Sequence, residues 1–405
     1  MEQPHGLAVP QAFAHRWGMM IRSLSCVALS ALLINAAAAE SFSAYVAAIK
    51  PDAVKRGITD RTFANAARGL KPDPQMDRLT RKQPELVKPI GGYIERRVNG
   101  GLLKTGRAKI KSINRTMKAI EKRYGVDPYV VAAIWGMETG YGRGIGSSDV
   151  FRSLATLGWK RYRGDFFRNE FLDALEIYQN EKIPRKQMIG SWAGAMGQTQ
   201  FIPSSFLKFA VDFDGNGKRD LWRSTADALG STANYLAKKG WKRGQPWGMP
   251  VVLPKSLPRH VITQSWRDWA ASGVKAYDGR SFPKSGEATL FMPAGLEGPT
   301  FLITDNYEVI RDYNSSDAYS LSVGILSQRL RGRGRFKTKW PTAKTLNKAE
   351  RMKVQELLTK KGYPVPNRTG RILKGVRLAI RDFQLQAGVV ADGYPDKELL
   401  RLLQK

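Results

Sequence analysis

The sequence predicts a mainly α-helical protein with a small β insertion, followed by a separate three-helix unit at its C-terminus. Three observations lead there. Between residues 41 and 330, apolar residues recur three and four positions apart in segment after segment, the period of a helix with one buried face. Two short stretches rich in β-branched residues, bounded by Pro and Gly, interrupt that pattern. A run of Arg, Gly and Lys then separates the helical body from about 60 further residues, enough for a small core of their own.

The first element is a leader. Arg16 and Arg22 flank Met19 and Met20, an apolar run follows from Leu24 to Ile34, and Ala36 to Ala39 precede Glu40. A basic start, a short apolar stretch and small residues before a polar one read as a secretory signal over 1–39, cleaved after Ala39, with Met19 or Met20 as the initiator. The run is too short for a membrane span, so the expectation is an exported, periplasmic protein. Cleavage removes the only cysteine, Cys26, and two of the three histidines, His5 and His15. A disulfide, a thiol nucleophile and a zinc site built on several histidines or thiolates are thereby excluded. A Ser-His-Asp triad would have to use His260. The chemistry left to the mature chain rests mainly on carboxylates.

Residues 40–330 read as one domain. Helices are expected over Phe42–Ile49, Asp60–Ala67, Thr105–Tyr124, Tyr129–Met137, Arg168–Asn180, Ser204–Val211, Thr225–Lys239 and Asp317–Leu330. Met249–Pro254 with His260–Thr263, and Ala288–Met292 with Thr300–Thr304, are expected to form the inserted sheet. Residues 331–345 hold Arg-Gly-Arg-Gly-Arg and Lys-Trp-Pro with little apolar periodicity and read as a basic linker. In 346–405, Asn347 and Glu350 are spaced for a capping box, and Val354, Leu357 and Leu358 give the first helix an apolar face. Ile372, Val376, Ala379, Ile380 and Phe383 line a second helix, and Leu399, Leu400 and Leu403 a third.

Two segments stand out chemically. Asp127-Pro128 starts a helix, an N-cap acceptor followed by proline at the first position. The helix runs through a very apolar stretch to Glu138 and is broken by Thr139-Gly140-Tyr141-Gly142. Desolvation by neighbours such as Trp135 and Met137 disfavours the charged form of such a carboxyl, and the negative end of the helix dipole acts in the same direction. A carboxylic acid held protonated near neutral pH is what a general acid requires. From this segment alone, a glutamate turned to solvent fits equally well. The second segment, Gly190 to Phe206, is crowded with small residues, amides and aromatics. Small residues admit close approach to the backbone, and Gln198 and Gln200 suit sugar hydroxyls and N-acetyl groups. Trp192 and Phe201 offer faces to sugar rings. Tight helix packing would also use these glycines.

Glu-Thr-Gly-Tyr-Gly (138–142) and Gly-Ala-Met-Gly-Gln-Thr-Gln-Phe-Ile-Pro-Ser (194–204) together closely resemble the lytic murein transglycosylases of the membrane-bound type B family. Asp212–Trp222, Gly230–Leu236 and Tyr313-Asn314 extend the resemblance over nearly all of residues 41–330. It implies a lysozyme-like helical fold, Glu138 as the single catalytic acid/base, and sugar-binding roles for Ser191, Gln200, Tyr235, Tyr313 and Asn314. It also implies cleavage between N-acetylmuramic acid and N-acetylglucosamine with 1,6-anhydro ends and no cofactor for catalysis. A lysozyme-type hydrolase using water on the same Glu138 is the alternative within that fold, and a non-catalytic wall-binding scaffold the alternative outside it.

Asp212, Asp214, Asn216 and Gly217 occupy positions 1, 3, 5 and 6 of an EF-hand-like loop, with the Lys218 carbonyl at position 7. Arg223 stands where a closing glutamate belongs, and the resemblance offers Asp227 for a longer loop. A structural calcium and a plain Asx-rich turn both fit. Residues 346–405 resemble the type 1 peptidoglycan-binding domain through Gln355–Leu358, Gly362-Tyr363, Phe383-Gln384, Gly388-Val389 and Asp392-Gly393, although Gly370–Gly375 departs from its usual turn. The net charge of +31 suits nucleic acid, an anionic membrane surface or an acidic wall polymer. The export signal speaks against nucleic acid. The expected partners are peptidoglycan strands, with cell-wall synthesis or division proteins, and no membrane span is expected.

Overall fold

The computed structural model describes residues 40–81, 89–254, 262–334, 338–341, 346–365 and 367–405. The expected leader over 1–39, its cleavage site and Cys26 lie outside the described residues, as does His260. Among the described residues no helix is long and apolar enough to cross a membrane.

Up to residue 124 the chain forms α1 (Phe42–Lys55), α2 (Asp60–Ala67), α3 (Met76–Arg81), α4 (Ile90–Arg97), α5 (Gly100–Ser112) and α6 (Asn114–Tyr124). The single helix expected over 105–124 is two, divided at Ile113. Its start lies earlier than the periodicity suggests: the Asn99 side chain accepts the Leu102 N–H at 2.9 Å, and this cap offsets the poor propensity of Gly100-Gly101. Then come α7 (Pro128–Thr139), β1 (Ser148–Asp149), α8 (Val150–Trp159), α9 (Phe166–Asn180), β2 (Ile189–Gly190), α10 (Pro203–Phe209) and α11 (Thr225–Lys238). Helix α8 was not expected. Eight of its ten residues are buried, and its apolar side chains do keep a helical period.

The insertion comprises β3 (Gly248–Val252), β4 (Thr263–Ser265), α12 (Trp266–Ala271), β5 (Lys275–Ala276), β6 (Glu287–Phe291) and β7 (Thr300–Ile303). Its strands run in the order β4-β6-β7-β3-β5, with every neighbouring pair antiparallel. Alternation gives the sheet two buried faces. Leu290, Leu302, Met249 and Val251 join Trp266 and Trp269 in a local core, while Phe291, Phe301 and Ile303 face the main helical core. Thr304, expected in the strand, is instead the N-cap of α13 (Asp305–Tyr313), which leads into α14 (Asp317–Leu330).

The expected linker is pinned down where it is described. Arg331 binds the Asp127 carboxylate at 2.6 Å and lies 4.4 Å over the Tyr129 ring. Trp340 is buried against Gly91, where a Cβ would come within 2.3 Å of it. Helices α15 (Lys348–Lys360), α16 (Lys374–Gln386) and α17 (Lys397–Gln404) then enclose a separate small core around Val354, Leu358, Ile380 and Leu403. The Asn347/Glu350 capping box is formed in both directions.

Helix α7 crosses the centre of the large domain, against α14, α11, α5 and α6. Its Gly136 marks how closed that centre is: a Cβ there would sit 2.6 Å from the buried Tyr141 ring. Alanine gains about 1 kcal/mol of helix propensity, but overpacking a closed core costs about 1–3 kcal/mol. Gly136→Ala is therefore expected to lower the midpoint of denaturant unfolding, and an unchanged or raised midpoint would contradict this packing.

Candidate active site

Helix α7 begins as its residues dictate, with the Asp127 carboxylate accepting the Tyr129 N–H at 2.9 Å and Pro128 next. Val130 through Met137 are all buried, so the helix is apolar on every side until its last turn. Glu138, half-buried, lies in that turn. Gly140 ends the helix in the left-handed region at φ 60°, and Tyr141 and Gly142 continue there at 65° and 82°. This threefold left-handed run turns the chain back on the helix end. It leaves Tyr141 edge-on to Trp135, with ring centroids 5.3 Å apart.

The structure brings the two motif segments together. Thr139 is the joint: its hydroxyl donates to the Gln198 carbonyl at 2.6 Å and accepts the Gly142 N–H at 2.9 Å. Gln200, itself left-handed at φ 56°, donates its amide to the carbonyls of Ile145 at 3.1 Å and Gly197 at 3.0 Å. Strand β1 pairs with β2 through Ser148 and Gly190, and a Cβ on Gly146 would lie 2.0 Å from the Gly190 carbonyl oxygen. The glycines are thus spent on the close approach of one segment to the other. Ser191, half-buried at the mouth of the second segment, accepts the N–H groups of Ala193 and Ala195 at 3.2 and 3.1 Å. Buried Glu170 of α9 accepts the Ser204 N–H and hydroxyl at 2.9 and 2.7 Å, fixing the far end of the segment at the start of α10. Burial raises its carboxyl pKa against those bonds.

Glu138 receives a partner the motifs did not reveal. Tyr319 of α14, 181 residues away in sequence, donates its hydroxyl to Glu138 Oε1 at 2.5 Å. Burial first, then the Glu138 charge, pushes the Tyr319 phenol well above its ordinary value, so it remains a donor. Tyr313 is raised by the same two causes in the same order, and its hydroxyl donates to the Thr199 carbonyl at 2.6 Å. Tyr235 packs edge-on to Tyr313 at 5.0 Å and to Phe209 at 4.8 Å, with Phe201 about 6 Å from both tyrosines. Its hydroxyl donates to the Asp312 carbonyl at 2.7 Å, and burial with the Asp312 charge pushes its pKa up to about 12. Asn314 caps the end of α13 beside Tyr313, half-buried. The result is a carboxyl between neutral phenols, with an aromatic wall and a glycine-rich loop on adjoining sides.

Gln198, expected among the sugar ligands with Gln200, is buried, donating to the Trp222 carbonyl at 3.3 Å and accepting the Thr225 hydroxyl at 3.2 Å. A Cβ on Gly142 would meet its Oε1 at 2.8 Å. Enclosed by these groups, its amide braces the loop from behind.

In the acidic loop, Asp212, Asp214 and Asp227 offer carboxylate oxygens that all lie within 4.8 Å of one another. Asp212 accepts the amides of Gly215, Asn216 and Gly217. Burial works against its charge, but those bonds outweigh burial and its pKa lies below the usual range. Asp227, fully buried, accepts the amides of Phe213, Asp214 and Asp220, and burial raises its pKa. Asn216 turns its carbonyl to the Lys218 N–H at 3.0 Å. Three converging carboxylates in a loop shaped by amides form an oxygen donor set that fits a hard divalent cation. Arg223, at the expected closing position, is exposed.

Comparison with known proteins sets this geometry in context. A family model described as Transglycosylase SLT domain matches residues 41–328, and one described as peptidoglycan binding domain matches 347–403. The membrane-bound lytic murein transglycosylase B of Escherichia coli strain K12 is 34% identical over 209 residues, covering 51% of this chain and 57% of that protein. The chain thus spans a little over half the length of that curated relative. SltB3 from Pseudomonas aeruginosa, in complex with NAG-NAM-pentapeptide, superposes with a TM-score of 0.82 at 40% identity, covering 90% of this chain and all of the other. The Escherichia coli lytic transglycosylase Slt35 in complex with calcium gives a TM-score of 0.61 at 26% identity, over 71% of this chain and 92% of that one.

Proposed function

The chain belongs to the transglycosylase SLT family, and on that premise we propose that it cleaves the β-1,4 bond between N-acetylmuramic acid and N-acetylglucosamine of peptidoglycan, leaving 1,6-anhydro ends. The observation that carries the reading is the placement of Glu138, half-buried and hydrogen-bonded to Tyr319, where the 138–142 and 190–204 segments meet. SltB3 has been captured with NAG-NAM-pentapeptide and also with NAG-anhNAM-pentapeptide, and the second carries the anhydro muramic end that such a reaction forms.

The chemistry follows from one carboxyl. Glu138 protonates the glycosidic oxygen as the bond from that oxygen to the muramic anomeric carbon breaks. The substrate's own N-acetyl oxygen stabilises the positive charge at that carbon. Glu138, now a carboxylate, takes the proton from the muramic C6 hydroxyl while its oxygen bonds to the anomeric carbon, closing the anhydro ring. The acid is thereby restored and no water is consumed. Holding the nucleophile within the same sugar supplies the proximity that a second carboxylate or a bound water supplies in hydrolases. Tyr319 fixes which oxygen of Glu138 faces the reaction. The Tyr235–Tyr313 wall, Gln200, Ser191 and Asn314 line the path of the glycan. The C-terminal unit holds the enzyme to the wall, and the leader delivers it to the periplasm. Its excess of cations favours acidic stem peptides, an attraction that salt weakens.

The acidic loop binds calcium in a structural role, with Asp212, Asp214, Asn216, the Lys218 carbonyl and Asp227 as ligands. Slt35 in complex with calcium supports this, as does the convergence of three carboxylates. A ligand at a hundredfold excess over its Kd stabilises by about 2.7 kcal/mol. Calcium at such excess is therefore expected to raise the melting temperature of the wild type but not of Asp214→Asn. No shift in the wild type at millimolar calcium would contradict calcium binding at this loop.

The catalytic assignment is tested by digesting purified sacculi with wild type and Glu138→Gln and identifying the muropeptides by mass spectrometry. Loss of a general acid costs at least about 10²–10⁴-fold in rate. Anhydro-muropeptides released by the variant at the wild-type rate would sink the assignment.

A further inference from the structure

The C-terminal unit has its own core, yet it sends a half-buried charge into the catalytic domain. Arg377 of α16 forms an ion pair with Asp317, the first residue of α14, and its guanidinium lies 4.7 Å from the Phe291 ring of the inserted sheet. One turn on, Arg381 donates to the Leu290 carbonyl at 3.2 Å. From the catalytic side, Asp317 also faces Arg311 at 3.4 Å and accepts the Tyr307 hydroxyl at 3.2 Å. Glu308 completes the cluster, meeting Arg311 at 2.9 Å and Lys374 of α16 at 3.7 Å. Arg377 is removed from water thoroughly enough that burial pulls its pKa down to about 10.

Taking a guanidinium out of water is costly and is repaid only by good partners. A domain that served as a tether alone would gain nothing by burying a charge in its neighbour. What the charge grips is specific: Asp317 and Tyr319 share the first turn of α14, and Tyr319 donates to Glu138. We propose that Arg377 is a positioning residue for the acid/base, through which the C-terminal unit clamps the first turn of α14 and sets Tyr319 against Glu138. The proposal rests on the reading of Glu138 given above. In it the C-terminal unit is part of the catalytic machinery as well as its anchor. Asp317, half-buried under three arginine and tyrosine contacts, transmits the clamp, and Arg311 alone leaves it held from one side.

The test uses the full-length chain and a soluble tetrasaccharide muropeptide, on which retention by the insoluble wall plays no part. Arg377→Ala and Asp317→Asn are each expected to lower kcat about 10- to 100-fold, the scale of a small misplacement at a reacting group. KM changes by less than about twofold, as it does when an interaction made only in the transition state is lost. Arg377→Lys recovers most of kcat, and all variants keep the wild-type far-UV circular dichroism and still sediment with sacculi. A kcat for Arg377→Ala within about twofold of wild type overturns the proposal. So does a loss of kcat that lysine fails to restore, or one that matches the loss of folded protein. Products from the wild type are identified in the same assay. Reducing ends there would overturn the anhydro reading while leaving the Arg377 comparison intact, and no cleavage by the wild type would sink both.

Discussion

A helix that is apolar on every side can run through a protein core, but it cannot end there without help. Helix α7 is such a helix, and the rest of the catalytic domain is arranged around satisfying its last turn. Burying each large apolar side chain stabilises by about 1.5–3 kcal/mol, while each polar group left unpaired in the interior costs about 1–3 kcal/mol. The end of α7 is therefore tolerated only with partners. Arg97 of α4 donates to the Met137 carbonyl, Thr139 donates to the Gln198 carbonyl, and Tyr319 of α14 donates to Glu138. Three remote elements meet at one turn for this reason, and the meeting point is a half-buried carboxyl. The fold and the site share one cause.

The features readable from the sequence were those carried by local rules. The Asp127-Pro128 start and the glycine-marked end of α7, the Asn347/Glu350 capping box and the exact span of α14 follow from caps and periodicity within a few residues. Where a strand passes directly into a helix, as at Thr304, one cap residue separates two periods and the boundary moves. The candidate site divides the same way. Glu138 is marked by its place at the end of so apolar a helix, but its role is legible only through the resemblance of the 138–142 and 194–204 motifs. Tyr319 is not marked, because nothing local in the first turn of α14 distinguishes a tyrosine that packs from one that grips a carboxyl 181 residues away. Gln198 and Gln200 look alike in one motif, yet one amide meets Trp222 and Thr225 and the other Ile145 and Gly197, and only the fold decides which is enclosed.

The basic character of the chain acquires a structure in the same way. A net charge of +31 indicates an anionic partner without saying where it binds. Part of that charge is internal business. Arg331 seals the start of α7 by pairing with its N-cap Asp127, and Arg377 holds the start of α14 by pairing with Asp317. Both contacts come from residues beyond the catalytic domain proper, and both act on the two helices that supply Glu138 and Tyr319. The segment after α14 and the C-terminal unit thus brace the same pair of helices from outside, at their N-terminal ends.

In the proposed reaction a single carboxyl, held by Tyr319, directs a sugar hydroxyl rather than water to the anomeric carbon. The most direct measurement is digestion of sacculi in water enriched in ¹⁸O, followed by mass spectrometry of the muropeptides. The expected products are 1,6-anhydro ends without label, because no solvent oxygen enters them. Reducing ends carrying one ¹⁸O would contradict the proposed reaction and make the enzyme a hydrolase.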